Sequence, residues 1–226
     1  MSSPDPSPAP RIPLSRERVL AAALALADRD GIESLTMRKL AADLGVEAMT
    51  LYYYVARKRD IIDGIFDTVM AEIEVPMGGV DWKAAIRRGA MSAHDVLLRH
   101  PWAAGEIWTA GAGPARLAYM EALLGRLREA GFSPSMTHHA YHALDSHIVG
   151  FTLWASGYAA VADEMEDVAP SMVRDLPADR FPYLLEHIQQ HLAPSPDPDA
   201  ASEGEFAFGL DLILDGLERI LEASKA

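Results

Sequence analysis

The sequence predicts an all-α fold, in which a small amino-terminal helix-turn-helix domain precedes a larger helical domain. Apolar residues recur at helical spacing along most of the 226-residue chain, and strand-like alternation is almost absent. Glycine or proline stands at the ends of these segments, where helices commonly start or stop. Half of the residues are hydrophobic and none is cysteine. A large core is therefore possible, whereas disulfides and thiolate metal sites are excluded.

The chain opens with a Pro- and Ser-rich segment, residues 1–13, which is predicted to be a disordered tail. This segment lacks the apolar core of a signal peptide. No apolar run in the chain approaches the roughly 20 residues that a membrane span needs. The first helix is predicted to begin at Ser15 and to stop at Gly31, with leucines and alanines along one face.

Residues 36–58, TMRKLAADLGVEAMTLYYYVARK, predict two short helices joined by a tight turn. Thr36 is suited to cap the first helix, because its hydroxyl can accept a bond from an unpaired amide of the first turn. Gly45 is suited to the left-handed conformation that often ends a helix. The second helix is predicted to run from about Glu47 to Tyr54 and to be exposed enough to enter the major groove of DNA. We therefore expect a DNA-binding domain over residues 14–60.

Further helices are predicted after the helix-turn-helix, and no internal repeat is found among them. Their apolar residues recur every three or four positions. We expect these helices near residues 57–75, 82–100, 102–108, 114–130, 133–157, 181–192 and 203–222.

The charge is distributed unevenly along the chain. The formal net charge is −13, which by itself argues against binding to nucleic acid. However, residues 11–60 contain nine basic and seven acidic side chains, whereas residues 61–226 contain eleven basic and 25 acidic ones. The excess acid is therefore expected away from the DNA surface. An acidic body also weakens non-specific DNA binding, which depends on local positive charge.

Nine side chains are expected on or near DNA. Arg38 can reach a phosphate or a guanine edge, and Lys58 can hold a phosphate as a point charge. Leu51 is expected in the core, and Tyr53 is compatible with either the core or DNA, because three adjacent helical positions cannot all face one way. The nine candidates are Thr36, Arg38, Ala48, Met49, Thr50, Tyr52, Tyr53, Tyr54 and Lys58.

Three motifs and their flanking helices carry a family resemblance. They are Thr36-x-Arg38-x-Leu40-Ala41, Leu44-Gly45-Val46 and Thr50-Leu51-Tyr52-Tyr53-Tyr54-Val55, followed by Lys58. From Ser15 to about Met70 the chain closely resembles the DNA-binding domain of the tetracycline-repressor (TetR) family. The resemblance implies that Arg38 contacts DNA and that Ala48 and Met49 lie where bases are read. Neither of these two side chains can form hydrogen bonds, so direct base recognition is expected to be sparse and apolar.

The segments HHAYHALDSHIVGFTLWASGY (138–158) and FGLDLILDGLERIL (208–221) are similar to the TetR type of regulatory domain. The resemblance implies that residues 61–226 bind a small effector and pair as a homodimer through a four-helix bundle. The predicted helix at 133–157 agrees, because it has one apolar stripe through Tyr141 and Ile148 and another through His147 and Trp154. A homodimer is expected to bind a pseudo-palindromic operator.

The effector is predicted to be largely apolar and independent of magnesium. Gly89, Ala93 and Ile107 stand where the tetracycline-binding members of the family place polar residues that hold drug and metal. Nearby aromatic side chains would suit an apolar or aromatic ligand, although they could instead only fill the core. The candidate pocket residues are Trp102, Trp108, Met120, His142, Phe151, Trp154 and Tyr158.

The leading hypothesis is a ligand-responsive, DNA-binding transcriptional repressor that works in the cytoplasm without a cofactor. A metal-responsive regulator is the alternative, because His138, His142 and Asp145 share a helical face at i, i+4 and i+7. This spacing is a weak motif, and no metal site is assigned. An all-α enzyme is a third possibility, but the chain has no GxSxG, HExxH or phosphate-loop motif to support it.

Overall fold

The computed structural model describes residues 13–75, 81–161, 168, 171, 173–174, 176–191 and 198–225, with backbone only for 191 and 198–203. Within these ranges the protein is helical and contains no strand, so the predicted all-α fold is confirmed. The helices are α1 (Arg16–Asp30), α2 (Met37–Leu44), α3 (Ala48–Leu51), α4 (Lys58–Met70), α5 (Trp82–Arg99), α6 (Pro101–Glu106), α7 (Pro114–Ala130), α8 (Pro134–Ala159), α9 (Pro182–His191) and α10 (Pro198–Ala223). The predicted tail over residues 1–13 lies outside the described residues, apart from Pro13.

Helices α1, α2 and α3 enclose a small core at the amino-terminal end. Leu26, Leu40 and Leu51 each contribute a fully buried side chain to this core. The hydroxyls of Ser15 and Thr36 accept backbone N–H groups from the first turns of α1 and α2. Because each hydroxyl satisfies an otherwise unpaired amide, both helices begin where the sequence predicts.

Helix α4 connects this three-helix unit to the larger domain. It packs against α1 and also against α6 and α7. Ile65, Phe66 and Val69 are fully buried, so α4 belongs to the core of both parts. At its start, the carboxylate of Asp60 accepts the N–H of Arg57 at 2.9 Å.

Helices α5, α8 and α10 pack against one another and form the body of the larger domain, with α7 on α5 and α8. Their buried side chains recur at helical spacing, as in Ile86 and Leu97 of α5 and Leu144 and Ile148 of α8. Helix α10 begins at Pro198, a few residues before its predicted start. None of the described helices is long and apolar enough to cross a membrane.

Candidate functional site

The turn between α2 and α3 is closed by backbone bonds within the segment. Gly45 has a φ of 66°, a left-handed conformation that favours glycine. Its N–H donates to the carbonyl of Ala42 at 3.1 Å, and the N–H of Val46 donates to Ala41 at 3.0 Å. These bonds satisfy carbonyls that the end of α2 would otherwise leave unpaired. The angle between the two helices is thus set by the local chain.

Large apolar and aromatic side chains are exposed on α3 and just after it. Met49 is 73% exposed, Tyr52 is 47% exposed and Tyr53 is 87% exposed. Leu51, between them in sequence, is fully buried and holds α3 against the core. Adjacent exposed side chains of this size are typical of a contact surface.

The three tyrosines are arranged differently from the prediction. Helix α3 ends at Leu51, so the predicted helix from Glu47 to Tyr54 is too long. Tyr52, Tyr53 and Tyr54 form a tighter turn in which each N–H bonds to the third residue before it. This winding turns Tyr54 inward, where it is half-buried against the core, and leaves Tyr53 the most exposed of the three.

The remaining candidates lie around this surface. Thr36 is exposed, and its Oγ1 accepts the N–H of Lys39 at 3.1 Å, so its hydroxyl is used as a cap. Ala48 and Thr50 are half-buried on α3, and Lys58 is the half-buried first residue of α4. Contact of these residues with DNA stays a prediction.

The basic side chains near this surface fall into two groups. Lys39 pairs with Asp30 at 2.7 Å, and Arg29 pairs with Asp43 at 3.0 Å; both pairs tie α1 to α2. By contrast, Arg38 and Lys58 form no ion pair with any residue in the described part of the chain. Arg38 and Lys58 therefore remain available for an external anion.

A narrow cavity lies in the larger domain, between α4, α5, α7 and α8. It contains about 400 Å³ of empty space, including the solvent at its mouth. Gly89, Ala93 and Ile107 were expected where tetracycline-binding members of the family have polar residues, and of these three, Ala93 and Ile107 are part of the cavity wall. The lining residues are Met70, Ile73, Ala93, Leu97, Ile107, Arg116, Tyr119, Met120, Tyr141, Asp145, Ile148 and Val149.

One wall of the cavity carries polar groups that were not predicted as pocket residues. Arg116, Tyr119, Tyr141 and Asp145 lie together there, among otherwise aliphatic residues. Burial raises the pKa of the Asp145 carboxyl, although Arg116 and then His142 oppose this shift through their charges. Burial, and then the charge of Asp145, also raises the pKa of the Tyr119 and Tyr141 phenols. At neutral pH both phenols therefore keep their protons and can donate hydrogen bonds.

The structure brings only Met120 of the seven predicted pocket residues into this lining. Trp102 is buried, but its indole N–H donates to the Asp28 carboxylate at 2.8 Å and so joins α6 to α1. His100 Nδ1 lies 2.8 Å from the same oxygen. Trp108 is 74% exposed, because it follows the end of α6 on the surface.

The predicted pocket residues of α8 lie on other faces of that helix. Phe151 packs among the rings of His94, Phe206 and Trp154, with centroid distances of 5.5, 5.5 and 5.3 Å. Trp154 is half exposed and stacks on Tyr158. His142 is exposed. Successive residues of a helix point about 100° apart, so these side chains cannot share the face that Asp145 and Ile148 present to the cavity.

Helix α4 forms hydrogen bonds with the first turn of α7 and with the loop that precedes it. The Asp67 carboxylate accepts the N–H groups of Ala115 and Arg116, at 3.0 and 3.1 Å, and so caps α7 from another helix. The Asp63 carboxylate accepts the N–H of Gly111 at 2.8 Å. We call these contacts the α4–α7 cap.

Three further contacts hold α4 to the start of α7 and to α6. A Cβ added to Gly113 would overlap the Asp67 carboxyl, so the close approach requires glycine. The Arg116 guanidinium lies 5.5 Å from the centre of the Phe66 ring on α4. Arg59 of α4 also pairs with Glu106 at 3.3 Å. The cavity wall and α4 thus form one connected structure.

The histidine-rich start of α8 does not form a metal site in the structure. His138 and His142 are exposed, with ring centroids 4.5 Å apart, whereas Asp145 faces the cavity. Within the described ranges, no group of three or more His, Cys, Asp or Glu residues is placed to hold a metal ion.

The family model described as "Bacterial regulatory proteins, tetR family" matches residues 19–65, and the one described as "Tetracyclin repressor-like, C-terminal domain" matches residues 75–221. The chain belongs to the TetR family. It is therefore a DNA-binding transcriptional regulator that responds to a small-molecule ligand, and its family is one of regulators and not of enzymes.

Two curated relatives align with nearly the whole chain. The tetracycline repressor protein class D of Escherichia coli is 35% identical over 218 residues, which cover 93% of this chain and 92% of the relative. The HTH-type transcriptional repressor DrrR1 of Streptomyces coeruleorubidus is 30% identical over 225 residues, covering 94% and 80%.

Solved TetR-family structures share the same fold. Apo ActR of Streptomyces coelicolor aligns with a TM-score of 0.77 and 25% identity, over 94% of this chain and 99% of ActR. ActR in complex with actinorhodin aligns with a TM-score of 0.76 and 26% identity, over 93% and 99%.

Proposed function

We propose that this TetR-family protein is a homodimeric repressor, released from a pseudo-palindromic operator when a small, largely apolar effector enters the cavity between α4, α5, α7 and α8. The position of α4 is the observation that carries the proposal. Met70, the last residue of this helix, lines the cavity together with Ile73, three residues further on. Lys58 lies at the amino end of the helix, beside the exposed surface of α3. One helix thus connects the ligand cavity with the DNA surface.

The DNA surface would act through a few side chains. Arg38 and Lys58 supply charges that no described carboxylate neutralises. Tyr52 and Tyr53 supply hydroxyls for phosphate, and Met49 supplies an apolar side chain for a thymine methyl group. Phosphate contacts position the protein on the duplex, whereas the apolar contact gives limited base preference.

The effector would act by widening the cavity. The space is narrow, so a drug-sized ligand must displace side chains that line it. Part of that wall is α4, and α7 is fastened to α4 through Asp67. A ligand that binds better to the widened state shifts the protein toward that state. The displaced α4 then carries α1–α3 out of register with the operator.

A dimer is supported by apolar side chains left exposed on α8 and α10. Leu153 and Trp154 of α8 are 45% and 49% exposed, and Phe208 and Leu212 of α10 are 68% and 55% exposed. Pairing of these helices with the same helices of a second copy would cover both sets. Two recognition surfaces would then meet half-sites about 34–36 Å apart, or a multiple of that distance. The DNA that they bind is in the cytoplasm, where we place the protein.

The DNA part of the proposal is tested by gel shift on the promoter beside the protein's own gene. Lys58→Ala should weaken binding to all DNA sequences to a similar extent and make the slope of log affinity against log salt shallower by about one unit. Lys225→Ala removes an exposed lysine charge far from α3 and serves as the control for loss of one positive charge. An unchanged slope in Lys58→Ala would count against the phosphate contact, and a monomer bound to a single half-site would count against the dimer.

Tetracycline with magnesium is the second candidate effector, favoured by the 35% identity to the class D repressor. Ala93 and Ile107 in the cavity wall argue against it, because neither can hold a polar drug or a metal. We expect calorimetric titration with tetracycline and magnesium to give no saturable binding. Release of the operator at micromolar tetracycline would mean about −8 kcal/mol of binding free energy, and would show that the effector is not the apolar class proposed.

A further inference from the structure

The cavity contains two opposite charges, and one of them already has partners. Arg116 donates from Nη1 to the carbonyl of Ala110 at 3.2 Å. Its guanidinium also lies over the Phe66 ring, where the face of the ring attracts a cation. The guanidinium therefore has stabilising contacts before any ligand arrives.

Asp145 has no such contacts. It is half-buried on α8 and lines the cavity. Among the residues that the structure describes, none forms a hydrogen bond or close ion pair with its carboxylate. Arg116 and His142 act on it only through their charges at longer range, and these charges do not offset the cost of burial. A carboxylate in such surroundings is strongly stabilised by a donor that enters the cavity.

The groups around Asp145 favour a cationic donor. Tyr119 and Tyr141 are neutral and can orient a ligand without adding charge. The apolar residues of α4 and α5 offer a surface for the body of the ligand. An anionic ligand would instead compete with the Ala110 carbonyl and the Phe66 ring for Arg116, and it would lie beside an unpaired carboxylate.

We infer that the effector of this protein is an apolar ring compound with one basic amine, and that the amine donates a charge-assisted hydrogen bond to Asp145. The inference rests on the proposed function, since it assigns a ligand class to the proposed cavity. It adds a charged contact to an effector that the sequence predicts only as largely apolar.

Three naphthalene probes with the same ring and different head groups test this inference. They are 1-naphthylmethylamine, 1-naphthalenemethanol and 1-naphthoic acid, which are cationic, neutral and anionic at neutral pH. Each is titrated calorimetrically into the full chain. The amine should bind about tenfold or more tightly than the alcohol, the range of a partly buried charge-assisted hydrogen bond, and the acid should bind weakest.

Substitutions at Asp145 identify the group responsible. Asp145→Asn should reduce the ratio of amine affinity to alcohol affinity to about one, and Asp145→Glu should keep it well above one. Met120→Leu changes the apolar wall of the same cavity and serves as the matched control. Its affinities for the amine and for the alcohol should shift together, so the ratio should not change. Asp145→Ser replaces the Asn variant if that variant does not fold.

Several results would overturn the inference. An unchanged ratio in Asp145→Asn or Asp145→Ser would show that the carboxylate does not bind the amine. Tightest binding of the acid, abolished by Arg116→Gln, would assign the cavity to anions. Absence of saturable amine binding to the wild-type protein would also reject it. Operator binding by the ligand-free protein is measured separately. Failure of the proposed ligand class can therefore be distinguished from failure of the proposed DNA-binding function.

Discussion

The two ends of α4 meet regions that are held together in different ways. At the amino end, the α2–α3 surface is organised by bonds within a few residues, such as those from Thr36 to Lys39 and from Gly45 to Ala42. At the carboxyl end, the cavity wall is organised by bonds between distant parts of the chain, such as Asp67 with Ala115. The DNA surface can therefore move as a rigid body, whereas the cavity wall changes shape when α4 moves.

Leu51→Ala should have the largest effect on the first region. Leu51 is fully buried beneath α3, and removing a buried leucine side chain costs about 3 kcal/mol of unfolding free energy. Urea unfolding followed by circular dichroism should show an early transition of α1–α3 and loss of operator binding.

Met49→Ala is the matched control for that substitution. Met49 is exposed on the same helix, so its removal should change stability by less than about 0.5 kcal/mol while still weakening operator binding. A single unfolding transition in Leu51→Ala, with the larger domain lost at the same urea concentration, would contradict the expected earlier unfolding of α1–α3.

Asp67→Ala should have the largest effect on the second region. It removes the acceptor of two backbone N–H groups at the start of α7. Hydrogen bonds to charged groups contribute a few kcal/mol at most, and Asp67 is partly exposed, so we expect a loss of about 2 kcal/mol in unfolding free energy. Asp67→Asn keeps one acceptor oxygen and should therefore lose less unfolding free energy than Asp67→Ala. Equal losses in the two variants would argue against the cap.

Between pH 6.5 and 4, stability should depend on a buried histidine of the larger domain. The Thr152 hydroxyl donates to the Ile148 carbonyl at 2.7 Å, so it accepts from His94 Nδ1 at 2.9 Å and leaves His94 Nε2 buried without a partner in the described part of the chain. Burial, and then the charge of His147, lowers the pKa of His94 from 6.5 to about 4.

The depressed pKa determines the direction in which stability changes with pH. Above pH 6.5 His94 is neutral in both the folded and the unfolded chain, and its contribution to stability is fully present. Between pH 6.5 and 4 the unfolded chain binds the proton more readily, so unfolding free energy falls by at most about 1.4 kcal/mol per pH unit. Urea titrations at several pH values should show this slope, and His94→Gln should reduce it. An identical slope in the variant would assign the pH dependence to other groups.

Thr36→Ala should have the smallest effect, because it removes only one local bond. Loss of a helix N-cap costs about 1 kcal/mol. Thr36→Ser should restore the stability, and Thr36→Asp should restore the cap while placing a negative charge at the surface. If Thr36 lies against phosphate, Thr36→Asp will be stable but will bind the operator poorly; normal binding by this variant would remove Thr36 from the DNA contacts.

The sequence predicted the first region better because its structure depends on neighbours in the chain. Thr36, Gly45 and Leu51 all take the positions expected from their local chemistry. Tyr53 and Tyr54 were harder to place, since the tight turn after α3 rotates each side chain by an amount that helical spacing does not give.

The second region could be predicted only in outline. The periodicity of apolar residues located the helices of this region. Which residues line the cavity depends on how five segments cross in space, and the spacing within a single helix does not determine that. Trp108 was expected in the pocket because it is aromatic, yet it lies on the surface. Asp145 was singled out only for its spacing from two histidines on α8, whereas the cavity also places it near Arg116 and Tyr119 of α7.

The cap that Asp67 places on α7 has a consequence for how the switch can be observed. The amide protons of Ala115 and Arg116 are protected only while α4 stays in its present position. Any state that moves α4 away leaves these two protons open to solvent, and they will exchange with deuterium faster. The same two backbone positions therefore report the state of the regulator without an attached probe, without DNA and without knowledge of the effector.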